Sequence, residues 1–368
     1  MKFYMLYSKK MLSFTKKLIS FNTTQIENDA MEYIQNYVQE KYGDAVKYER
    51  QDIWNKNRYN LIIKNTEDPD IILAGHIDTV PEFSQEQFIP KVEGNKLYGR
   101  WAVDMKAGVA INVELIDFML KSNVKFRVLC YADEEYFFLW MKKFVESYQW
   151  KIHPKLTIVT EPTNGKIYTW FRGIGSVDLE IEWKSVHSAR KHLWINAISE
   201  YVYFTDALEK YVQSKDTFGY KSNVNLSGIQ WGIDKDGQII RQDNIVPNIA
   251  RGNFSLRLGN EFTREALQKF MQEYFAEKEI KILNTNLKVR YNALIQTGLK
   301  EKYGSYGDVE EGYTFGFSDI QFIKEYIGGD CLVIWPGPNE KSHQADEYVD
   351  IDSMETVKVI IENILKGV

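Results

Sequence analysis

Three short apolar, β-rich runs of the sequence each end in side chains that can bind a metal or carry a proton. The runs are IILAG (71–75), FRVLCYA (126–132) and LTIVT (156–160). The polar groups that follow them are His76 and Asp78, then Asp133-Glu134-Glu135, then Glu161. Imidazole and carboxylate groups suit Zn²⁺, and two metals that share a carboxylate suit hydrolysis. The pattern therefore predicts a metal-dependent hydrolytic site where the three runs end.

Two further residues, Asp104 and His343, complete the candidate set. Asp104 opens a helix-like stretch (104–121), and His343 lies in the last part of the chain. Taken alone, each group has an ordinary explanation, since a single histidine is usually structural and an acid at a helix start is stabilised by the helix dipole. His153 and His192 keep that structural interpretation. Chance does not readily explain the whole set, because its members fall at strand ends or helix starts.

Asp78 and the paired glutamates have roles that their neighbours suggest. Asp78 stands two residues after His76, where its carboxylate can hold the second imidazole nitrogen and fix the tautomer. Two adjacent glutamates can divide the work, so that one binds a metal and the other takes a proton.

An α/β sheet is the element that must position these groups. The three runs alternate with helix-like stretches such as 104–121, which is typical of an α/β sheet. In such sheets the ligand groups lie beyond the carboxyl ends of the strands. The three strand ends are therefore expected to deliver their side chains to one crevice.

The middle of the chain predicts a second, different module. Apolar and polar residues alternate in 176–182, as in a half-buried strand. The elements that follow are a helix near 196–213, strands near 223–230 and 249–258, a helix near 263–277 and a strand near 279–289. This β-α-β-β-α-β order is a ferredoxin-like motif. We expect a catalytic domain in two parts, 1–172 and 290–368, interrupted by an inserted domain at 173–289.

The composition excludes several classes of protein. The chain has 368 residues, with 46 Lys and Arg against 51 Asp and Glu, so its formal net charge is −5. This acidity argues against a nucleic-acid partner, and no run approaches the ~20 apolar residues of a membrane span. Two cysteines, Cys130 and Cys331, give no disulfide framework. We therefore expect a soluble cytoplasmic protein with neither nucleic acid nor membrane as its partner.

A series of motifs, in order from about 70 to 350, carries a specific resemblance. The segments are GHIDTVP, LYGRWAVDMKAG, YADEEY, TEPTNG, HSARKHLWINAI, NIVPNIARGNFSLRL, FGFSDI and SHQADEYV. The chain resembles the dinuclear-zinc deacylase and peptidase family, which includes succinyl-diaminopimelate desuccinylase, acetylornithine deacetylase, acetyl-lysine deacetylase and glutamate carboxypeptidase. Three of the motifs look closest to the desuccinylase branch. The resemblance implies a zinc-peptidase-like α/β catalytic domain with an inserted ferredoxin-like α+β dimerisation or lid domain.

The resemblance also implies the role of each catalytic-domain residue. Two Zn²⁺ ions are expected, with Co²⁺ or Mn²⁺ as alternatives. The ligands implied are His76 and Glu161 for one ion, Glu135 and His343 for the other, and Asp104 as the bridge between them. Asp78 would orient His76, and Glu134 would be the general base that passes its proton to the leaving amine.

Three residues of the inserted domain are implied to act on the substrate. In the family the small domain mediates dimerisation, and its histidine stabilises the oxyanion in the partner's site. His187 matches that histidine, and Asn244 lies in a matching segment. Arg257 would hold a substrate carboxylate, for which a guanidinium is well suited. The alternative for Arg257 is an exposed strand arginine without a ligand.

The expected activity is hydrolysis of the amide bond in an N-acyl amino acid. The first choice is N-succinyl-LL-diaminopimelate desuccinylase, which acts in lysine and diaminopimelate synthesis. The alternatives in the same family are an acetylornithine or acetyl-lysine deacetylase, or a metallocarboxypeptidase acting on short peptides. An alternative from another class is a non-catalytic binding homologue.

Tryptophan occupies positions where the family motifs have glycine. Trp101 and Trp194 replace glycines of two motifs, Trp335 precedes Pro-Gly, and Trp140 also falls at a plausible glycine site. Glycine serves tight turns and close backbone approaches that an indole obstructs. One explanation is a source organism that reads UGA as glycine, so that these positions are glycine in the natural protein. The other is an altered, inactive homologue.

Overall fold

The computed structural model describes residues 2–52, 58–136, 138–193, 195–217, 222–236, 238–311 and 316–368. Trp54 and Trp194 lie outside them. The helices are α1 (Lys2–Ile19), α2 (Asn28–Tyr42), α3 (Ala107–Lys121), α4 (Leu139–Tyr148), α5 (Ala197–Gln213), α6 (Arg264–Ala276), α7 (Leu299–Tyr303), α8 (Ile320–Tyr326) and α9 (Ile351–Lys366).

The strands fall into an early, a middle and a late group along the chain. The early strands are β1 (Lys47–Asp52), β2 (Tyr59–Lys64), β3 (Ile71–His76), β4 (Lys91–Glu93), β5 (Lys96–Tyr98), β6 (Phe126–Tyr131), β7 (Leu156–Val159) and β8 (Ile167–Tyr168). The middle strands are β9 (Gly173–Glu182), β10 (Val186–His187), β11 (Asn223–Lys235), β12 (Gln238–Ile240), β13 (Ile245–Val246), β14 (Ile249–Leu258) and β15 (Lys281–Tyr291). The late strands are β16 (Val309–Glu310), β17 (Asp330–Ile334) and β18 (Tyr348–Asp350).

The chain divides into two compact units. The first consists of Met1–Thr169, Gln296–Glu311 and Ser318–Val368, and the second of Trp170–Ile295 and Gly312–Phe317. The second unit is thus inserted in the sequence of the first, which is the α/β class with an inserted α+β module that the sequence predicts. Across the described part of the chain, we find no helix with the length and apolar character to cross a bilayer.

A large mixed sheet forms the centre of the first unit, in the order β1-β2-β6-β3-β7-β17-β8-β16. Strand β3 pairs in parallel with both β6 and β7, and β17 pairs in parallel with β7. Strands β3, β6 and β7 are mostly apolar, and all of their residues are buried, as is usual for parallel strands covered by helices. Helix α3 is buried along most of its length and packs against the sheet and α9.

A small antiparallel sheet, β18-β5-β4, also belongs to the first unit. In it Tyr348 pairs with Tyr98 and Asp350 with Lys96. This pairing joins the segment that follows His343 to the segment that precedes Asp104. The two candidate ligands that do not follow strands of the large sheet are therefore connected through this small sheet.

The second unit is an antiparallel sheet covered by helices. Its order is β12-β11-β14-β9-β15, and β10 pairs with β13 in a separate short ladder. Val177, Leu179 and Ile181 of β9 are buried, and they share a core with Phe204 of α5 and Phe275 of α6. The long elements follow the predicted β-α-β-β-α-β order. Alternation along β9 therefore reflects a sheet with one face on the core.

Candidate active site

Residues that follow three neighbouring strands meet at one edge of the large sheet. His76 is the last residue of β3, Glu134 and Glu135 follow β6, and Glu161 follows β7. Because β3 runs parallel to β6 and β7, the carboxyl ends of all three strands lie at the same edge. One edge of the large sheet therefore holds the His76 imidazole and the three carboxyl groups that follow β6 and β7 in the sequence.

Asp104 lies between the two histidines, with one carboxylate oxygen toward each. Its Oδ1 is 3.2 Å from Nε2 of His76, and its Oδ2 is 3.5 Å from Nε2 of His343. Glu161 Oε1 is 3.8 Å from Nε2 of His76, and Glu135 Oε1 is 2.8 Å from Nε2 of His343. The ligand atoms of His76, Asp104 and Glu161 all lie within 4.8 Å of one another, as do those of Asp104, Glu135 and His343. The two groups share Asp104.

The helix that was expected to begin at Asp104 begins three residues later. Ala102–Lys106 is an irregular helical turn, and Asp104 within it has φ −129° and ψ 90°, outside the helical region. Helix α3 starts at Ala107. The Asp104 carboxylate therefore faces the histidines rather than serving as an acid in the first turn of a helix, which is the ordinary explanation considered above.

Asp78 contacts both neighbouring strand ends. Its backbone carbonyl accepts a hydrogen bond at 3.0 Å from Nδ1 of His76, while its carboxylate Oδ1 lies 3.5 Å from the same nitrogen. The carboxylate also accepts hydrogen bonds from the backbone amides of Glu134 (3.2 Å) and Glu135 (3.1 Å). Asp78 thus holds the imidazole tautomer that leaves Nε2 free to ligate, and it fixes the turn that carries both glutamates.

Burial and mutual repulsion dominate the electrostatics of this edge. Burial, followed by the charges of Glu161 and Asp319, raises the pKa of Glu134 well above its ordinary value. Burial, followed by the charge of Asp104, raises the pKa of Glu161 in the same direction. Carboxyl groups that repel one another in a buried site are stabilised in their ionised form by a cation. The charge pattern therefore suits a metal centre.

One atom of the site points to a missing partner. Oε1 of Glu161 is buried, and no described residue gives it a hydrogen bond. No Lys or Arg of the described chain forms an ion pair with Asp104, Glu135 or Glu161; the basic side chains that contact these carboxylates are His76 and His343. Buried carboxylate oxygens without donors are costly unless a cation binds them. The side chains available to bind such a cation are imidazoles and carboxylates, which are the ligands that divalent metals such as Zn²⁺ take.

Two of the three candidate residues of the second unit, His187 and Asn244, lie on neighbouring segments, whereas Arg257 pairs with Ile174 at the opposite end of β14. His187 ends β10 opposite Ile245 of β13, is exposed, and accepts a hydrogen bond at Nδ1 from the Ala189 amide (3.2 Å). The Ser188 amide donates to the Asn244 carbonyl (2.8 Å), so His187 and Asn244 are brought together.

Arg257 lies on β14, in the same unit as His187. Its Nη1 donates to Ser255 Oγ at 3.0 Å and to the Leu256 carbonyl at 3.3 Å. Burial and the neighbouring Arg172 lower the pKa of Arg257. Among the residues the structure describes, no carboxylate forms an ion pair with it, so its guanidinium is available to an anion.

Sequence reasoning missed two buried acids of the first unit. Glu347 lies four residues after His343 in SHQADEYV, and burial, followed by the charge of Asp104, raises its pKa to about 8. Asp319 lies in FGFSDI, and burial raises its pKa to about 7 against the opposite influence of Tyr131 and His76. Both residues stand inside motifs that carry the family resemblance, which is the signal that could have identified them.

Comparison with known proteins gives one family and a consistent set of relatives. The model of "Peptidase family M20/M25/M40" matches residues 72–367. A succinyl-diaminopimelate desuccinylase of Orientia tsutsugamushi is 27% identical over 400 residues, covering 98% of this chain and 97% of its own. The enzyme of the same name from Pelagibacter ubique is 26% identical over 387 residues, covering 97% of this chain and 98% of its own.

Solved structures show the same fold. Aminopeptidase PepT from Bacillus cereus superimposes with a TM-score of 0.71 at 18% identity, covering 98% of each chain. The YXEP protein of Bacillus subtilis, a dinuclear metal-binding peptidase of the M20 family, superimposes with a TM-score of 0.69 at 12% identity, again covering 98% of each chain. At these sequence identities the structural similarity shows a shared fold and nothing about the substrate.

Proposed function

The chain belongs to peptidase family M20/M25/M40, and we propose that it is a dinuclear metal amidohydrolase that acts on N-succinyl-LL-diaminopimelate. The observation that carries the proposal is Asp104, whose two carboxylate oxygens face two different histidines. A carboxylate in that position can bridge two metal ions. The choice of substrate follows the relatives named succinyl-diaminopimelate desuccinylase, which align over nearly the full chain at 25–28% identity.

The residues present fit two divalent ions. His76 and Glu161 would hold one, Glu135 and His343 the other, and Asp104 would lie between them. The buried Oε1 of Glu161, which has no hydrogen-bond donor in the described chain, supports this fit. When bound, such ions supply Lewis acidity toward the scissile carbonyl and the attacking water. Zn²⁺ suits this donor set, with Co²⁺ or Mn²⁺ as alternatives.

Glu134 is the residue assigned to proton transfer. Its carboxylate lies in a group with His76 and Glu135 whose ligand atoms are within 4.8 Å of one another. It would accept a proton from water as the water oxygen attacks the amide carbon. It would then give that proton to the amide nitrogen as the carbon–nitrogen bond breaks, which leaves a carboxylic acid and an amine; the acid's remaining proton passes to the amine or to solvent. Proton transfer by a positioned carboxylate suits this hydrolysis.

The second unit is assigned to substrate binding and dimerisation. Following the family resemblance, His187 of one subunit would stabilise the oxyanion at the site of the other, with Asn244 beside it. Arg257 would bind a carboxylate of the substrate, and the absence of an ion pair to it within the described residues supports this role. The proposal includes a homodimer and a cytoplasmic reaction in lysine and diaminopimelate synthesis.

A hydrolysis assay on the zinc-loaded full chain tests the function. We expect succinate release from N-succinyl-LL-diaminopimelate, abolished by a chelator and restored by zinc, with slower cleavage of N-acetylornithine and of a dipeptide. Glu134→Gln, loaded in the same way, controls for contaminating activity. Faster cleavage of one of the other substrates would replace the substrate assignment within the family. A chain that binds metal but cleaves none of them would contradict the hydrolase proposal.

A further inference from the structure

Two of the candidate ligands, Asp104 and His343, come from loops outside the large sheet. They stand 239 positions apart in the chain, yet at the sheet edge Asp104 contacts His76 and His343 contacts Glu135. The pairing of β5 with β18 brings their segments together, but the pair nearest to the ligands is Tyr98 with Tyr348. The pairing therefore includes neither Asp104 nor His343. Other contacts must therefore hold the ligands themselves in place.

Glu347 supplies such a contact at Asp104. Its side chain is fully buried, and its Oε1 accepts hydrogen bonds from the backbone amides of Val103 (3.1 Å) and Asp104 (3.3 Å). Its own backbone carbonyl accepts a hydrogen bond from the Gly99 amide (3.3 Å). A carboxylate oxygen that accepts from two consecutive amides fixes the orientation of the peptide between them. That peptide leads directly into the Asp104 side chain.

Arg100 supplies contacts to the other two ligand loops. The side chain is 1% exposed, and its Nη2 donates to the Pro81 carbonyl at 2.6 Å while its Nη1 donates to the Gln344 carbonyl at 3.0 Å. Pro81 follows the His76 loop, and Gln344 is the neighbour of His343. One guanidinium thus joins three segments, each of which carries a candidate ligand. Its fixed fork suits two acceptors in one plane.

We propose that Glu347 and Arg100 are the positioning residues of the metal centre, and that together they set the placement of Asp104 between His76 and His343. Neither residue would touch the metal or the substrate. The inference rests on the proposed function only in taking the cluster to be a metal centre. Partners of this kind, outside the ligands themselves, commonly change metal affinity by about 10–100-fold when they are lost.

Zinc affinity and amide exchange of Glu347 variants test the proposal. For Glu347→Ala we expect zinc affinity, measured by competition with a chelator, to fall by about 10–100-fold. Hydrogen exchange at the Val103 and Asp104 amides should accelerate in the metal-free chain. Glu347→Gln keeps an oxygen that accepts from both amides and should recover most of the affinity and the protection. Arg100→Lys keeps the charge but not the fork, and should also weaken zinc binding.

Glu114 provides the matched control. It is as buried as Glu347 and lies in the same unit, but its carboxylate binds the Tyr37 hydroxyl and the Lys41 amine (2.9 Å). Glu114→Ala should lower thermal stability without changing zinc affinity or the exchange of the Asp104 amide. If Glu347→Ala behaves in the same way, the positioning role is wrong. If Glu347→Ala does not fold, the Gln and Arg100→Lys variants decide, and wild-type zinc affinity in Arg100→Lys overturns the assignment of Arg100.

Failure of this inference is distinguishable from failure of the proposed function. A wild-type chain that binds no zinc contradicts the metal centre itself. Wild-type affinity and wild-type amide exchange in Glu347→Ala contradict only the positioning role. Neither outcome depends on the hydrolysis assay.

Discussion

The candidate ligands fall into two sets that are held by different means. His76, Glu135 and Glu161 come at the ends of strands of the large sheet, and β3, which ends at His76, is hydrogen-bonded on both sides. Asp104 and His343 lie in irregular backbone, where Asp104 has φ −129° and ψ 90° and His343 has φ 63°. A strand end is positioned by its ladder, whereas a loop of this kind needs side chains to hold it.

The difference indicates where substitutions should act. Changes next to the strand-end set should alter chemistry or affinity while the loops keep their positions. Changes next to the loop set should alter both the position and the affinity. Substitutions at Glu134 and Asp78, compared with Glu347→Ala, separate these two responses.

Replacing Glu134 should give the largest effect, because the residue next to the strand-end ligands that moves the proton would be lost. For Glu134→Gln we expect the rate of hydrolysis to fall by about 10²–10⁴-fold, since an amide cannot accept the proton. Metal content, measured by mass spectrometry of the purified chain, should stay at the wild-type level. A parallel loss of metal would show that Glu134 is a ligand instead of the base.

Asp78→Asn should weaken metal binding at the strand ends. An amide retains one oxygen, so one of the hydrogen bonds from the Glu134 and Glu135 amides is lost. We expect zinc affinity to fall by about 10–100-fold, as is usual when a partner of the ligands is removed. Exchange of the Val103 and Asp104 amides should stay at the wild-type rate, which is the opposite of the result expected for Glu347→Ala.

Asp68→Asn is the control for that substitution. Asp68 lies in the same unit, its side chain is 59% exposed, and it accepts a hydrogen bond from the His153 amide (2.7 Å). Its change should leave zinc affinity unaltered. Equal zinc affinities in Asp68→Asn, Asp78→Asn and the wild-type chain would mean that the hydrogen bonds of β3 position His76 without help from Asp78.

The same division explains what sequence alone could predict. The strand-end groups were recoverable from local patterns, because an apolar run followed by His76 or Glu161 is visible in a few residues and parallel strands end at one edge. Asp104 and His343 entered the candidate set as a helix-start acid and a late histidine, and their roles as ligands required the family resemblance. Glu347 was missed because its hydrogen bond to the Val103 amide spans 244 positions, and no local periodicity records such a contact.

The fold divides in the same way between local and long-range information. Alternation of Val177, Leu179 and Ile181 predicted a strand of the second unit, and β9 has those residues buried. The sequence pattern predicts a helix from Asp104, which is too early, because α3 begins at Ala107. The irregular turn before Ala107 depends on distant partners, so helix propensity could not predict it.

Tryptophans occupy both connections to the loop ligands. Trp101 has φ 68° and ψ 21°, its indole is fully buried, and no described residue accepts from its Nε1. Trp335 directly follows β17 and is also buried with Nε1 lacking an acceptor in the described chain. Its ring lies where a side chain on Gly108 would have to be, 1.5 Å from the position of a Cβ. At Trp101 the left-handed backbone is a conformation that favours glycine over tryptophan.

A chain with all nine tryptophans replaced by glycine tests the recoded-codon explanation. Left-handed backbone costs a non-glycine residue about 1–2 kcal/mol. Relief of this strain at Trp101 alone corresponds to about a tenfold gain in the population of the loop conformation that places Asp104 in the site. We expect the glycine chain to fold, and its zinc-dependent hydrolysis to be about tenfold faster or more. If tryptophan is native, loss of the four indoles that are buried in the described chain, at about 3–5 kcal/mol each, should instead unfold it. A gene in which every tryptophan codon is UGG would exclude recoding.

Trp150 offers the smallest and cleanest measurement of that strain. It has φ 66°, like Trp101, but its side chain is 82% exposed and the turn after α4 carries no candidate ligand within the described residues. For Trp150→Gly we expect the free energy of unfolding in urea to rise by about 0.5–1 kcal/mol, because backbone strain is relieved and little buried surface is lost. Zinc affinity should stay at the wild-type value.

Trp150→Ala separates strain from the loss of the indole. Alanine keeps the Cβ that opposes left-handed backbone, so its free energy of unfolding should stay close to that of the wild type. If alanine stabilises the chain as much as glycine does, the indole itself is the unfavourable group and φ is not the cause. If only glycine stabilises it, the cost of left-handed backbone is the cause. The same cost then applies at Trp101, three residues before Asp104, whose carboxylate faces both histidines.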